Sequence, residues 1–403
     1  MYTPFQEDLL RDIKNKLGKP LPAGIERAYQ STPRHLFVKQ FYQSRQNDWE
    51  HTVIDEQNLA VKLPILYQDM PLILVTDTES NFLAAKSSIS QPSLVLSMLN
   101  KLNIQEGDSV LEIGAGSGWN AAMMGRLVGE TGRVHSVEII PELVGPAREA
   151  IAALGIGNVM IVESDGGDGY APGAPYDRIM FTVGSYDIPS AFYEQLKDGG
   201  VLLMVLKNIG YGDTLYLFKK TGDHLEAIQG SPCAFVGLQG KYELPELNPT
   251  DIDQLPFWAD IRSTVVKKKA FWCGGKSQSN GHFIGKAMGL MSFLGIVEPW
   301  FRAFEVGRQE EKRRREIFFG VVDMERKSVV TASQEDKLIA YGSETALDRL
   351  LADLRLWQEL GMPDAACFKL MVYPADVGLQ AGDRQWITRR VDSQFLWTLE
   401  AVD

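Results

Sequence analysis

Apolar and polar positions follow three different patterns along the chain. In roughly the first 105 residues, apolar side chains recur at helical spacing in FQEDLLRDIKNKL, IERAYQS and SLVLSMLNKLN, and the remainder looks irregular. From 108 to 220, apolar runs of strand length alternate with helical stretches. Strands that alternate with helices predict a mostly parallel sheet covered by helices on both faces. After 222 the alternation stops, and runs of strands with one long amphipathic helix predict an α+β region.

These patterns predict individual elements and two domains. The expected central strands are DSVLEIG, RVHSVEI, NVMIVES, DRIMFTVG, VLLMVL and TLYLFKK, and the expected helices are WNAAMMGRLVG, PELVGPAREAIAALG and PSAFYEQLKDGG. Later strands are IFFGVVDME, SVVTAS, KLIAYG, CFKLMVYP and QFLWTLEAV, with a helix over SETALDRLLADLRLWQELG capped by Ser343 and stopped by Gly361. We expect a first domain over 1–222, helical over 1–105 with a doubly wound core over 106–222, and a second over 223–403.

Composition limits the classes of protein. The 403 residues are 45% hydrophobic and 23% charged, which is typical of a globular chain with full cores. No apolar run is long enough to span a membrane, and the first residues lack the pattern of a signal peptide. Three separated cysteines suit a reducing, cytoplasmic location and predict neither a disulfide framework nor a metal site. The net charge of −11 disfavours nucleic acid as a partner. The oligomeric state stays open.

The strongest chemical motif is VLEIGAGSGWNAA, residues 110–122, where a strand runs into Gly114, Gly116 and Gly118 before a helix begins. Glycines let a backbone approach a ligand closely, and ligands of open α/β sheets bind at the carboxyl ends of strands. The spacing is G-x-G-x-G, whereas a dinucleotide-binding turn is G-x-G-x-x-G, and Trp119 stands in the sixth position. The motif therefore favours S-adenosylmethionine over NAD and a Rossmann-like class I methyltransferase fold.

Acidic residues follow the next two strands and extend this assignment. Glu138 ends one strand and suits the ribose hydroxyls, while Asp165 ends the next and suits the adenine amine. Two structural alternatives stay open: Gly118 serves only helix–strand packing, and Glu112 orients the loop amides. The candidate cofactor-binding residues are Glu112, Gly114, Ala115, Gly116, Gly118, Glu138, Ile139, Asp165 and Gly166.

Together with this motif, other segments resemble protein-L-isoaspartate O-methyltransferases over roughly residues 1–220. They are PRHLFV at 33–38, SISQP at 88–92, SDGGDG at 164–169, APYDRI at 174–179 and IPSAFYEQLKDGGVLL at 188–203. The resemblance implies an enzyme that uses S-adenosylmethionine, releases S-adenosylhomocysteine, and methylates a carboxylate of a protein or peptide bearing aspartate or isoaspartate. It places Ser88 and Ser90 at the substrate carboxylate as catalytic residues. Ile89, Gln91 and Trp119 would lie on the substrate side, although Trp119 replaces the tyrosine usual in the family.

The chain also departs from the family's repair enzymes, because they are usually little over half its length. Its length and the CAFVGLQG segment resemble longer relatives that accompany ribosomally made, modified peptides of the lanthipeptide, graspetide and FxLD types. This resemblance implies methylation of a precursor-peptide aspartate, an ester that collapses to aspartimide or isoaspartate, and peptide recognition by 223–403. The alternative is an isoaspartate repair enzyme with an accessory domain, and a non-catalytic binding module is a third hypothesis.

The chemistry requires alignment more than proton transfer. A carboxylate is already ionised at neutral pH, so no general base is needed, and the five histidines form no evident pair with an acid. Hydroxyls of Ser88 and Ser90 would each donate a hydrogen bond to the substrate and orient one oxygen toward the methyl group. The structural alternative is that Ser90, ahead of Pro92, is merely the N-cap of the next helix.

Overall fold

The computed structural model describes residues 2–45, 48–76, 85–208, 212–243, 250–270, 282–305, 317–333 and 337–400. The chain forms two compact units. Unit 1 comprises Met1–Val205 and Leu215–Glu243, and unit 2 comprises Leu206–Thr214 and Leu244–Asp403.

The N-terminal part of unit 1 combines helices with a small antiparallel sheet. Its helices are α1 (Thr3–Leu17), α2 (Ala23–Gln30), α3 (Leu59–Leu66) and α4 (Pro92–Leu102). Its strands are β1 (Gln40–Arg45), β2 (Asp48–Val53), β3 (Leu72–Thr76) and β4 (Ala85–Ile89), in the order β2-β1-β3-β4. The three predicted helices are confirmed. The sheet was not predicted, because strands such as QFYQSR and DWEHTV carry no sustained apolar alternation.

The central sheet of unit 1 carries the alternation that the sequence predicts. Its elements are β5 (Ser109–Ile113), α5 (Trp119–Val128), β6 (Arg133–Glu138), α6 (Pro141–Ala153), β7 (Val159–Glu163), β8 (Tyr176–Ser185), α7 (Ser190–Gln195), β9 (Leu196–Lys207), β10 (Asp213–Thr221) and β11 (His224–Cys233). The strand order is β11-β10-β9-β8-β5-β6-β7, and β5 pairs in parallel with both β6 and β8. The strand order therefore reverses at β5, where ligands of such sheets bind.

Two details of this sheet differ from the prediction. Helix α7 ends at Gln195, and LKDGG, predicted as its last turn, opens β9 instead. Strand β11, HLEAIQGSPC, was not predicted because its pattern is mostly polar, with five exposed residues. Unit 1 consequently continues through Glu243, whereas the sequence placed a boundary after 222.

In its described residues, unit 2 contains three α-helices and strands that pair antiparallel, except that β12 and β14 pair in parallel. Its helices are α8 (Trp258–Ile261), α9 (His282–Val297) and α10 (Thr345–Glu359), and its strands are β12 (Thr250–Asp251), β13 (Val265–Ala270), β14 (Phe301–Glu305), β15 (Ile317–Asp323), β16 (Ser328–Ser333), β17 (Lys337–Tyr341), β18 (Phe368–Pro374), β19 (Gln385–Arg389) and β20 (Ser393–Leu399). Strands β12 to β17 form one sheet in the order β12-β14-β15-β16-β17-β13, and β20 pairs with both β18 and β19.

The predicted α+β character of this region is confirmed, with one correction at α10. Glu344, rather than Ser343, occupies the N-cap position and makes no capping bond of its own. The first-turn amides of Thr345 and Ala346 donate instead to Ser343 Oγ at 3.5 Å and to Ser328 Oγ at 3.1 Å. Gly361 follows the C-cap residue with φ +84°, as the predicted helix stop requires. Within the described residues, no helix combines the length and apolar character needed to cross a membrane.

Candidate active site

The glycine loop occupies the predicted place, between the end of β5 and the start of α5. Gly114 has φ +96°, and a Cβ there would lie 2.8 Å from Thr182 Oγ1 on β8. The Thr182 hydroxyl donates to the carbonyl oxygens of Ile113 and Gly114, at 2.9 and 2.5 Å. Glycine is therefore required where the loop passes β8, because any side chain would collide with the residue that holds the loop.

The SSISQP segment lies directly against this loop. Ser87 and Ser88 belong to β4, the edge strand of the small sheet. A Cβ on Gly116 would lie 3.6 Å from the Ser88 carbonyl oxygen and 3.7 Å from Ser87 Oγ. Ser88 and Ser90 are both partly exposed, whereas Ser87 is buried. The structure thus brings the strand that carries Ser88 to the loop predicted to bind the cofactor, although the strand precedes the loop by more than twenty residues. Ser90 lies just after the end of this strand.

Glu138 anchors the same loop from the end of β6. One carboxylate oxygen accepts from the Gly116 amide at 2.6 Å, and the other accepts from the Ile140 amide at 2.9 Å. Burial raises the pKa of Glu138, and the hydrogen bonds from Ile140 and Gly116 oppose that rise. Because a carboxylate has about four acceptor positions, Glu138 can still accept from a ribose hydroxyl beside the backbone amides that it binds.

Glu112 is fully buried beneath the loop. Its carboxyl oxygens accept from Asn120 Nδ2 at 2.7 Å and Ser136 Oγ at 2.5 Å. Burial raises its pKa to about 7; the hydrogen bonds from Ser136 and Asn120 lower it, and the nearby Glu138 raises it further. Because Glu112 is completely buried and binds Asn120 and Ser136, it supports the loop through α5 and β6. The sequence left open whether Glu112 contacts the ligand or orients the loop amides. In the structure it binds two side chains, and Glu138 binds the loop amide of Gly116.

Asp165 and its neighbours form the far side of the site, after β7. One oxygen of Asp165 accepts from the Gly167 amide at 2.8 Å, and the other accepts from the Lys241 amide at 2.7 Å. Gly166 is buried, and a Cβ there would lie 2.6 Å from Ile113 Cγ2 at the end of β5. Asp165 is partly exposed and retains acceptor positions for an exocyclic amine.

Arg34, from the PRHLFV motif, is a residue that the sequence analysis did not place in the site. Its side chain is completely buried. It donates to five main-chain carbonyl oxygens, those of Leu66, Gln68, Met70, Ile89 and Ser90, at 2.9 to 3.3 Å. Burial lowers its pKa to about 10, a value at which it keeps its charge at neutral pH. Arg34 therefore fixes the backbone of the serine segment. A charged residue within an otherwise apolar motif was the available signal.

Asp69 is a second residue of this kind. Its Oδ1 accepts from the Ser93 amide at 2.8 Å, and its Oδ2 accepts from Lys16 at 2.7 Å and Gln91 Nε2 at 3.1 Å. Burial would raise the pKa of Asp69, but the hydrogen bonds from Lys16, Ser93 and Gln91 outweigh it and hold the pKa below its ordinary value. Asp69 thereby caps α4 from a distant segment.

The structure gives the surroundings of the other residues of the serine segment and of Trp119. Gln91, not Ser90, is the N-cap residue of α4, and its amide is held by Asp69 rather than directed at a substrate. Ile89 is 3% exposed and packs in the core. Trp119 is 1% exposed, and its indole nitrogen donates to the Thr32 carbonyl at 2.9 Å. Ile89 and Trp119 therefore both pack in the core, and their substrate-side role stays a prediction.

The family follows from a comparison with known proteins. The family model described as Protein-L-isoaspartate(D-aspartate) O-methyltransferase (PCMT) matches residues 6–243, which is more than half of the chain. The chain belongs to this family. The matched range ends where unit 1 ends, at Glu243.

Individual members agree with this assignment. Protein-L-isoaspartate O-methyltransferase 2 of Archaeoglobus fulgidus is 32% identical over 245 residues, 60% of this chain and 95% of that protein. The protein-L-isoaspartate O-methyltransferase of Dictyoglomus thermophilum is 37% identical over 237 residues, 58% of this chain and 90% of that protein. A solved structure named protein-L-isoaspartate O-methyltransferase covers 97% of this chain and 98% of its own, with a TM-score of 0.52 and 23% identity.

Family membership confirms several predictions. The fold is the Rossmann-like fold of class I methyltransferases, and the chain is a carboxyl O-methyltransferase of proteins or peptides that uses S-adenosylmethionine. The structure fits this cofactor, because a glycine-rich loop faces the serine strand, Glu138 ends β6 and Asp165 follows β7. Among the described residues, no cluster of three or more His, Cys, Asp or Glu side chains is placed to hold a metal ion.

Proposed function

We propose that the enzyme methylates the free carboxylate of isoaspartyl residues in proteins or peptides, the reaction of isoaspartate repair. The observation that carries this proposal is the contact between the serine strand and the glycine loop, where Ser88 lies against Gly116. The relatives from Archaeoglobus and Dictyoglomus, both named protein-L-isoaspartate O-methyltransferases, support the choice of substrate.

In this proposal the cofactor lies along the carboxyl ends of β5, β6 and β7. Gly114, Ala115, Gly116 and Gly118 would face it with their backbone, while Glu138 and Ile139 would contact its ribose side and Asp165 and Gly166 its adenine side. When bound, S-adenosylmethionine supplies a methyl group on a positively charged sulfur, and S-adenosylhomocysteine is the product. Glu112 supports the loop from below through Asn120 and Ser136.

The protein's own contribution is to align the substrate. The carboxylate is ionised at neutral pH, so the enzyme needs no base to activate it. Hydroxyl groups of Ser88 and Ser90 would donate hydrogen bonds to it and direct one oxygen toward the methyl group, within about 3–3.5 Å. Neutral donors suit this reaction, since the substrate loses its negative charge as the ester forms, and a cationic donor would stabilise the ground state more than the transition state. In this proposal Arg34 positions the serine segment through its main-chain carbonyl oxygens and does not itself bind the substrate.

The narrower prediction, methylation of an aspartate in a ribosomal peptide precursor, has less support. It rested on the length of the chain and on the region after 222. A solved protein that carries the isoaspartate methyltransferase name covers 97% of this chain, so length does not separate the two hypotheses. The isoaspartyl substrate is the better supported alternative, and peptide tailoring remains an outcome of the assay.

The assay compares two synthetic peptides that differ only in carrying isoaspartate or aspartate at one position. Incubation with the full chain and S-adenosylmethionine should add about 14 Da to the isoaspartyl peptide alone, the mass of one methyl group replacing one hydrogen. Ser88→Ala and Ser90→Ala should slow this reaction, while Ser31→Ala, at an exposed serine after α2, serves as the matched control. The proposal would be overturned if the enzyme methylated both peptides at the same rate, or if it methylated neither of them.

Unit 2 is proposed to recognise the protein or peptide substrate, as the sequence suggested for 223–403. The family match stops at 243, so the catalytic residues named above all belong to unit 1. If the proposal is right, removal of residues 250–403 should raise KM for the isoaspartyl peptide while leaving the affinity for S-adenosylhomocysteine unchanged. A cytoplasmic location remains a prediction from the cysteine content.

A further inference from the structure

The chain after β11 crosses the predicted cofactor site within unit 1. We call residues 236–242, VGLQGKY, the strap. The strap begins beside the end of β8, where the Gly184 amide donates to the Val236 carbonyl and the Leu238 amide donates to the Gly184 carbonyl, both at 2.8 Å. These two bonds form an isolated parallel bridge between Gly184 and Gly237.

The strap then reaches Asp165, the acid predicted to bind the adenine amine. The Lys241 amide donates to Asp165 Oδ2 at 2.7 Å. Gly240 has φ +88°, and a Cβ there would lie 2.2 Å from the same oxygen and 2.8 Å from Ile139 Cδ1. Glycine is therefore needed at this position for two reasons, its backbone conformation and its close approach to two residues of the candidate cofactor site.

Further contacts hold the strap at both sides of the site. Next to Asp165, the Tyr242 ring packs so closely on Gly167 that a Cβ there would lie 2.3 Å from Tyr242 Cδ2. Leu238 is buried, and its Cδ1 lies 3.7 Å from where a Cβ of Gly166 would stand. On the opposite side, Gln239 Nε2 donates at 3.2 Å to the carbonyl oxygen of Lys86, in the serine strand.

We infer that the strap is the outer wall of the cofactor site and controls release of the adenosyl ligand. It joins the strand that carries Ser88 to the acid that would bind adenine, so it spans the crevice at the carboxyl ends of the sheet. Asp165 has acceptor positions beyond those used by Gly167 and Lys241, so ligand and strap can bind it together. Ligand exchange then requires the strap to separate from Asp165 and Lys86. This inference rests on the proposed cofactor site.

The test compares Gly240→Ala with Gly222→Ala in the full chain. Gly222, in the turn between β10 and β11, has φ +61° and no atom within 4 Å of the position that a Cβ would take, so it reproduces the backbone strain without the collision. Titration calorimetry would measure the dissociation constant of S-adenosylhomocysteine, and stopped-flow displacement its dissociation rate. We expect Gly240→Ala to raise both about tenfold or more, which is the effect of about 1.4 kcal/mol, and Gly222→Ala to change either less than twofold.

Hydrogen exchange of the unmodified protein gives an independent readout. Saturating S-adenosylhomocysteine should slow exchange of the Leu238 and Lys241 amides at least tenfold, while peptides covering the β10–β11 turn should not change. The inference would be overturned if exchange of the strap amides did not change on ligand binding, or if the two glycine variants had equal ligand affinities and dissociation rates. The proposed function would still stand if isoaspartyl methylation persisted. Failure of the unmodified chain to bind S-adenosylhomocysteine at all would overturn both.

Discussion

Glu112 offers a test of how the cofactor loop is supported. Its carboxyl group is completely buried, accepts hydrogen bonds from Asn120 and Ser136, and has a pKa raised from the ordinary 4.5 to about 7. In the folded protein this group keeps its proton up to about pH 7, whereas in the unfolded chain it loses the proton near 4.5. Between these values the folded state binds more protons, so the free energy of unfolding must fall as the pH rises.

The size of this effect follows from the pKa. Each pH unit between the two values contributes about 1.4 kcal/mol, so ionising Glu112 in place lowers the free energy of unfolding by up to about 3 kcal/mol. The cost is complete above pH 7 and absent below pH 4.5. Glu112→Gln keeps an acceptor for Asn120 and carries no charge at any pH. We therefore expect this variant to gain up to about 3 kcal/mol relative to the unmodified protein between pH 4.5 and pH 8.

The assay is a urea titration at several pH values, read by pulsed hydrogen exchange of peptides that cover β5 and β6. A local readout is needed because a chain of two compact units need not unfold in one transition. Glu149→Gln, at an exposed glutamate on α6, is the matched control and should show the pH dependence of the unmodified protein. Parallel curves for Glu112→Gln and the unmodified protein would refute the reasoning, since they would mean that Glu112 ionises at the same pH in both states.

Three further predictions concern the serine segment. Ser88→Ala and Ser90→Ala should each reduce kcat/KM for an isoaspartyl peptide by about 10- to 100-fold, because each removes one hydrogen bond to a charged group. The affinity for S-adenosylhomocysteine, measured by calorimetry, should not change. A matching loss of cofactor affinity would contradict the assigned roles. Arg34→Lys keeps the charge but loses the planar donors that reach carbonyl oxygens of two segments. The melting temperature of this variant and its rate of methyl transfer should both fall. An unchanged melting temperature would refute the positioning role. Asp69→Asn should lower the free energy of unfolding by about 1 kcal/mol at pH 7 and by less at low pH, because Asp69, whose pKa is lowered, stabilises the fold only while it is ionised. Urea unfolding at several pH values measures this difference, and a cost that does not shrink in acid would contradict the prediction.

The central sheet and its cofactor loop could be predicted because their signals are local. Most of its strands, such as DSVLEIG and VLLMVL, contain a short apolar run. The glycines at 114, 116 and 118 all have positive φ, a conformation that favours glycine. Strands β1, β2 and β11 escaped prediction because they are largely polar and carry no sustained apolar pattern.

The residues of the candidate site also differ in how far the sequence alone could predict their roles. The sequence determined the family, the cofactor and the candidate strand-end acids, because residue type and spacing carry that chemistry. Only the tertiary structure decided that Trp119 and Ile89 are buried, that Arg34 and Asp69 hold the serine segment, and that the strap lies across Asp165. Burial and hydrogen-bond partners depend on segments far apart in the chain, so no local pattern records them, and the same serine can be read as a helix cap or a substrate ligand until its neighbours are known.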